Sequence, residues 1–298
     1  MKKKISRRFW SKFTKLKIYN YLPDKTAVKI KYQNHFLHKL DLNNPTTFNQ
    51  KLQWLKLYDR KPKYTTMVDK LAAKKFVADK IGEEYIIPTL GEWDSFDKID
   101  FEKLPNQFVM KCTHSSGDAV ICKDKNQFDE NAAKKKLDNS LRTDYYLISR
   151  EWPYKNVPRK IIAEMYLEDS ATHEARDYKF FCFNGIVKCF KVDFDRFNNH
   201  RANWYFCNGD IIPYGEKICL PDYDAKIVLP KQIPIMITLA ERLSKDIPFL
   251  RVDFYCIDNH IYVGELTFYP ASGLLEFTDV AWDRQMGDWL TLPSKCTD

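Results

Sequence analysis

Near the C-terminus, RVDFYCIDNHIYVGELTFYP (251–270) sets Arg251, Asp253, Glu265 and Thr267 into two apolar runs that meet at Asp258-Asn259. Strand side chains alternate between faces. A turn centred on Asn259 pairs Asp253 with Glu265 and Arg251 with Thr267, all on one face. Leu250, Val252, Phe254, Leu266 and Phe268 then form the other, apolar face. Opposed carboxylates repel when nothing lies between them. A divalent cation reverses that sign, and hard oxygen ligands suit Mg²⁺, which completes its shell with water and nucleotide phosphates. Arg251, next along the same face, is placed to meet a phosphate oxygen or a developing anion. The residues alone leave a second reading open, a solvated strand face with cross-strand ion pairs. A slip of one residue would also send Glu265 into the core.

A nucleotide polyphosphate needs cations and amide donors. Lys111 ends an expected strand just before THSSG (113–117), a small polar loop. Its backbone N–H groups and the hydroxyls of Thr113, Ser115 and Ser116 could cover phosphates. An ordinary surface turn fits the same residues. Asp69-Lys70 opens an expected helix and offers a second cation; read alone, it is a solvated pair.

Other elements must position these groups. Residues 46–59 place Phe48, Leu52, Leu55 and Tyr58 on one helical face, with Thr46 or Thr47 as the cap. A second helix is expected from Thr66 to Ile81, stopped by Gly82. Pro88 and Gly91 mark a loop. QFVMK and AVICK read as a strand pair around CTHSSGD, and 129–149 as polar helix. Residues 159–168 read as strand. The stretch 177–195 alternates around Asn184-Gly185, a strong hairpin signal. Residues 230–247 read as helix. The expected class is α+β, built on antiparallel hairpins. Neither GxGxxG nor GxxxxGK[ST] occurs.

The chain has 298 residues and a net charge of +8, and residues 1–17 carry eight Lys and Arg with no acid. The remainder is neutral, so nucleic acid is not the expected partner. Ile5, Phe9, Phe13 and Leu16 stripe that arm. This suits an anionic membrane surface; a solubilising tail or a helix packed on its own domain suits it equally. No apolar run nears the roughly 18 residues of a span and no secretory h-region is visible. The expected location is cytoplasmic, with the arm as a peripheral contact. The eight cysteines form no CxxC pair; reduced, mostly buried thiols are expected, and their spacing offers no zinc site.

In this order and spacing, the segments across roughly residues 45–280 resemble the ATP-grasp superfamily, and within it the TupA-like, teichuronopeptide-biosynthesis type. VDKLAAKKFVADKIGEEYIIPTLGEW resembles the family's DK-helix-Pro segment, which implies a phosphate contact for Lys70. FVMKCTHSSGD resembles the lid strand and phosphate loop, implying the same for Lys111, Ser115 and Ser116. IIAEMYL resembles the linker strand, so Glu164, Met165, Tyr166 and Leu167 inherit the adenine contacts. Asp177 falls where an acid approaches the ribose, and Lys179 where a cation approaches phosphate. RVDFY and GELTFYP resemble the RxD…ExN…P ending. The resemblance implies Mg²⁺ on Asp253 and Glu265, and Arg251 as stabiliser of the transferring phosphate, with Lys111 assisting. Thr267 stands where many members have Asn, and its hydroxyl is the third expected ligand for Mg²⁺.

The implied architecture is an ATP-grasp fold. A basic helical region (1–65) replaces the usual Rossmann-like domain, followed by a central and lid part (66–168) and a C-terminal antiparallel sheet part (169–298). The implied activity is ATP-dependent carboxylate–amine ligation in surface-polysaccharide synthesis, on a saccharide or lipid-linked saccharide acceptor. Arg196, His200 and Arg201 are acceptor-side candidates, although an exposed loop fits them as well. A sugar kinase, a glycosyltransferase-associated protein and a non-catalytic binding module remain rival readings.

Overall fold

The computed structural model describes residues 17–196 and 199–295. All but the last residue of the basic arm therefore lies outside the described residues. The helices are α1 (Asp24–Phe36), α2 (Phe48–Tyr58), α3 (Lys63–Val68), α4 (Ala72–Ile81), α5 (Glu130–Arg142), α6 (Tyr145–Ser149), α7 (Ile233–Ser244) and α8 (Val280–Trp289). The strands are β1 (Thr89–Trp93), β2 (Phe108–Cys112), β3 (Val120–Cys122), β4 (Ile161–Met165), β5 (Asp177–Phe183), β6 (Ile186–Phe194), β7 (Arg201–Phe206), β8 (Ile211–Ile212), β9 (Phe249–Ile257) and β10 (His260–Thr267). The class is α+β, as expected. Among the described residues no helix is long and apolar enough to cross a membrane.

Two antiparallel sheets form the frame: a small one ordered β1-β4-β2-β3 and a large one ordered β10-β9-β5-β6-β7-β8. In the small sheet, Phe108, Met110, Cys112, Ile161 and Ala163 pack with Ala133 and Leu137 of α5 in one core. The alternate residues Val109, Lys111, Ile162 and Glu164 therefore turn to the opposite face. In the large sheet, α7 packs on β5, β6 and β9, and Cys182 meets the Ala240 carbonyl. The face away from α7 carries a polar row, Glu265, Asp253, Lys179 and Lys191, running across β10, β9, β5 and β6.

Local chemistry explains the elements. Thr47 caps α2 with a reciprocal capping box: its Oγ1 accepts from Gln50 N at 3.3 Å and Gln50 Oε1 accepts from Thr47 N at 3.3 Å. Phe48 of α2 packs on Phe249, ring centroids 4.9 Å apart. The β5–β6 turn is Asn184-Gly185, both with positive φ, and the β9–β10 turn is Asp258-Asn259, again both positive; two-residue turns of this kind match the strand twist.

Three expectations need correction. The helix expected over 66–81 is two helices. Asp69 Oδ1 accepts from Leu71 N (2.9 Å) and Ala72 N (3.2 Å), starting a new helix, while Lys70 N donates to the Thr113 carbonyl at 3.2 Å. Gly91, read as loop, lies in β1 where the register shifts against β4; glycine tolerates such a bulge. The third concerns the C-terminal hairpin. Its turn is not centred on Asn259, so Val263 opposes Phe254, one residue out of step with the expected register. A bulge at Gly264 restores that register, and Glu265 opposes Asp253.

Candidate functional site

A cleft with about 480 Å³ of free volume opens between the cleft face of the small sheet and the polar row of the large one. The floor comes from β9, β10 and β5. Asp253 and Glu265 are opposed there, with Arg251 alongside: its Nε lies 2.6 Å from Asp253 Oδ1 and its Nη2 4.0 Å from Glu265 Oε2. Lys179 Nζ donates to Asp253 Oδ2 at 2.8 Å. Burial works against the Asp253 charge, but Arg251 and Lys179 outweigh it and hold the carboxyl at about 2. Asp253 is thus ionised at neutral pH. Glu265 is a third exposed and faces the cleft.

Three structural choices aim these groups. The Gly264 bulge turns Glu265 to the Asp253 side; an unbulged β10 would place it opposite Val252, facing the core. Tyr255 closes over the bulge, its ring 2.8 Å from where a Cβ on residue 264 would sit. Thr267 opposes Arg251 and accepts a hydrogen bond from its Nη2 at 3.1 Å. Thr267 therefore orients Arg251 and is not among the residues lining the cleft.

The opposite wall is basic. Lys111 of β2 and Lys74 of α4 both converge on Glu164 of β4, at 2.5 and 2.7 Å. Burial opposes the Glu164 charge, but the two ammonium groups prevail and its carboxyl lies below its ordinary range. Both Glu164 oxygens are thus engaged by lysines. The carboxylate positions cations, and Met165, Tyr166 and Leu167 remain to line the cleft beyond it. Lys74 was not singled out in the sequence. Its signal was its place four residues after Lys70, one turn on in the single helix expected over 66–81, although the structure leaves Lys70 outside the helix.

Lys70 sits at the break between α3 and α4. Its Nζ donates to the Ser115 carbonyl and lies 3.6 Å from Glu265 Oε1. One lysine thus touches the loop above and the strand below. The loop itself is braced by Asp118, whose Oδ2 accepts from Cys112 N (3.0 Å), Ser140 Oγ (2.6 Å) and Ser115 Oγ. Burial raises the Asp118 pKa, and these hydrogen bonds more than reverse that, leaving it lowered. Of the three hydroxyls, Thr113 Oγ1 donates to the Pro158 carbonyl and Ser115 to Asp118. Ser116 alone lines the cleft, beside Gly117, whose φ of +81° needs glycine.

Asp177 and Lys179 of β5 lie at the inner end. Asp177 is buried and ion-paired with Arg196; Lys179 lies 3.4 Å from Asp177 Oδ1 and 3.6 Å from Asp193 Oδ2. Lys179 is thus committed to carboxylates. Of the acceptor-side candidates, Arg196 lines the cleft, while His200 stands beside Asp193, and Arg201 begins β7 opposite Phe194.

The cleft is charge-patterned: acids on the floor, lysines and amides on the opposite wall. A lone anion would meet the floor carboxylates unfavourably, whereas a polyphosphate carrying a divalent cation complements both walls. The donor set on the floor, two carboxylates whose oxygens share one cleft, fits a hard divalent ion.

Solved structures that resemble the chain include D-alanine–D-alanine ligase from Bacillus anthracis complexed with ATP (15% identity, TM-score 0.40, 68% of this chain and 54% of that one). Another is the ATP-grasp ligase PsnB complexed with minimal precursor, Mg and ADP (10%, TM-score 0.39, 82% and 62%). A third is phosphoribosylamine–glycine ligase from Thermotoga maritima (12%, TM-score 0.41, 68% and 48%). The chain spans between about half and three fifths of the length of these proteins. No curated protein matches the sequence. The family described as TupA-like ATPgrasp matches residues 50–291, a span that includes both walls of the cleft. The chain belongs to the TupA-like ATP-grasp family.

Proposed function

We propose that the chain is an ATP-dependent carboxylate–amine ligase that amidates a carboxylate of a cell-surface saccharide, a uronic acid or a similar sugar acid. The observation that carries this reading is the convergence of Asp253, Glu265 and Arg251 with Lys70 and Lys111 on one cleft. Membership of the TupA-like family supports it.

In this reading ATP lies along the cleft, with its base against Met165, Tyr166 and Leu167 and its ribose near Asp177. Lys70, Lys111 and the Ser116-Gly117 backbone hold the phosphates. Asp253 and Glu265 would hold Mg²⁺, which when bound neutralises phosphate charge. Lys179 keeps Asp253 in place. Arg251 meets the charge that develops on the transferring phosphoryl group, and Thr267 fixes its guanidinium. An acceptor carboxylate oxygen forms a bond to the γ-phosphorus as the bond to the β,γ-bridging oxygen breaks, releasing ADP. The amine then attacks the acyl carbon, phosphate departs with the bonding electrons, and the ammonium proton passes to solvent. No protein nucleophile is needed: positioning and electrostatics carry phosphoryl transfer. Arg196, ion-paired with Asp177, stands at the ribose end in this reading, away from the γ-phosphate that an acceptor carboxylate must reach. The basic arm suits an acceptor carried on a lipid at the inner membrane face.

The test incubates the full chain with Mg–ATP, uronic-acid saccharides and a panel of amino acids, reading free phosphate and product mass. Amine-dependent phosphate release with an amide product, lost in Asp253→Asn, is the expected result. A phosphorylated sugar without free phosphate would make the protein a kinase. ATP affinity untouched by Asp253→Asn, with no turnover, would make it a binding module.

A further inference from the structure

Beyond the nucleotide cleft, the fold gathers a second set of donors. Asp193 is the penultimate residue of β6, His200 immediately precedes β7, and Cys219 lies in the connection from β8 to α7. One ligand atom from each lies within 4.8 Å of the other two, and His200 Nε2 is 3.8 Å from Asp193 Oδ1. Their separation in sequence hid them from any reading based on close-set ligands. The backbone explains the meeting. Asp193 opposes Ala202 across β6 and β7, and Ala202 N reaches the Leu220 carbonyl at 3.4 Å. Asn203 then clamps the same connection, donating to the Asp222 carbonyl (2.6 Å) and accepting from Asp222 N (2.9 Å).

The Asp193 carboxylate has an unmet need. It is 4% exposed, and among the described residues nothing hydrogen-bonds its Oδ1. The neighbouring lysines are committed elsewhere: Lys179 bonds Asp253 at 2.8 Å and Lys191 bonds Glu216 at 2.9 Å. They approach Asp193 only to 3.6 and 3.5 Å. A buried carboxylate oxygen without a hydrogen bond is costly. Here it points toward an imidazole, with a buried thiol completing the triangle. Carboxylate, imidazole and thiolate together form a donor set for a borderline-soft divalent ion, zinc above all. Lys179, Lys191 and Arg196 all stand within 3.7 Å of the Asp193 carboxylate, each with a nearer acid in Asp253, Glu216 or Asp177, and the ion would share Asp193 with them.

We propose that Asp193, His200 and Cys219 bind one zinc(II) ion, with the thiol proton released on binding. The ion ties the β6–β7 connection to the β8–α7 connection. His200 is partly exposed, so a fourth position is open to water. The site lies beside Arg196, which lines the nucleotide cleft and sits 3.7 Å from Asp193. The inference does not rest on the ligase reading; nucleotide binding by zinc-free protein tests that reading separately.

The test strips the full chain with a chelator, then titrates it with Zn²⁺ and, in parallel, Co²⁺. One equivalent should bind, and Cys219→Ser and His200→Ala should each weaken it by more than about tenfold. The cobalt form should show a thiolate-to-metal charge-transfer band that Cys219→Ser removes, while the seven other cysteines remain. Circular dichroism of the zinc-free variants checks their folding. If a variant fails to fold, the thiolate band and stoichiometry of the parent chain decide. No stoichiometric binding, equal affinity in folded variants, or a cobalt spectrum without the thiolate band would overturn the proposal.

Discussion

Lys70 Nζ lies 3.6 Å from Glu265 Oε1, and the same ammonium donates to the Ser115 carbonyl. A residue at a helix break therefore joins the loop on one wall of the cleft to the acidic floor on the other. Replacing it should loosen both contacts and remove a cation from the phosphate path. Lys70→Met should weaken binding of a non-hydrolysable ATP analogue about tenfold or more, the worth of one charge-assisted hydrogen bond. Titration calorimetry checks this. Unchanged affinity would place the phosphates away from Lys70.

The Gly264 bulge is the device that faces Glu265 toward Asp253. Inserting one alanine after Gly264 keeps the bulge and moves every later β10 residue on by one position, which puts Glu265 opposite Val252 and Leu266 opposite Arg251. The insertion should abolish magnesium-dependent nucleotide binding while circular dichroism still reports a mixed fold. It should also lower stability by about 3 kcal/mol or more, because a carboxylate enters the core. Binding that survives would show that the floor does not need the opposed pair.

Much of this was legible in the sequence, and the exceptions have physical causes. Asn184-Gly185 and Asp258-Asn259 marked the hairpins because two-residue turns demand positive φ. Period-two alternation then put Arg251, Asp253 and Lys179 on one face. The bulge was not legible: a glycine inside a strand signals weakness without stating whether the register slips there. Glu265 reached the expected face only because the turn's true centre and the bulge offset each other. The break between α3 and α4 was hidden because Met67, Val68, Leu71 and Val77 keep an apolar helical period through it. What breaks the helix is Asp69, whose carboxylate accepts from Leu71 N and Ala72 N, together with Lys70 N bonding Thr113, a contact far away in the chain. Glu164 illustrates a third limit. Its type and strand were readable, but two lysines from different elements decide what its carboxylate does.

Gly287 sits in α8 where the helix crosses the start of α2. A Cβ there would lie 2.3 Å from the Thr46 carbonyl oxygen and 2.8 Å from Thr47 C. Helix propensity alone favours alanine over glycine by about 1 kcal/mol. The steric contact is with backbone, which cannot swing aside, so it wins. Gly287→Ala should cost about 3 kcal/mol and lower Tm by several degrees in a thermal melt. A raised Tm would mean that α8 can slide off α2.

Glu164 links stability to pH. Its folded-state pKa lies below the ordinary value of 4.5: burial acts to raise it, and Lys111 and Lys74 overcome that. A depressed carboxyl contributes stability that is complete above its unfolded value and is lost as pH falls through the folded one. Glu164→Gln keeps the shape and removes the charge, leaving Lys111 and Lys74 without their shared partner. The substitution should cost about 2 kcal/mol at neutral pH. As pH falls through the lowered Glu164 pKa the parent chain loses the same contribution by protonation, so the gap in Tm between the two proteins should close there. Thermal melts of both proteins from pH 7 downward measure it. A gap that stays constant with pH would mean that the lysines gain nothing from the Glu164 charge, and that their placement over the cleft comes from packing alone.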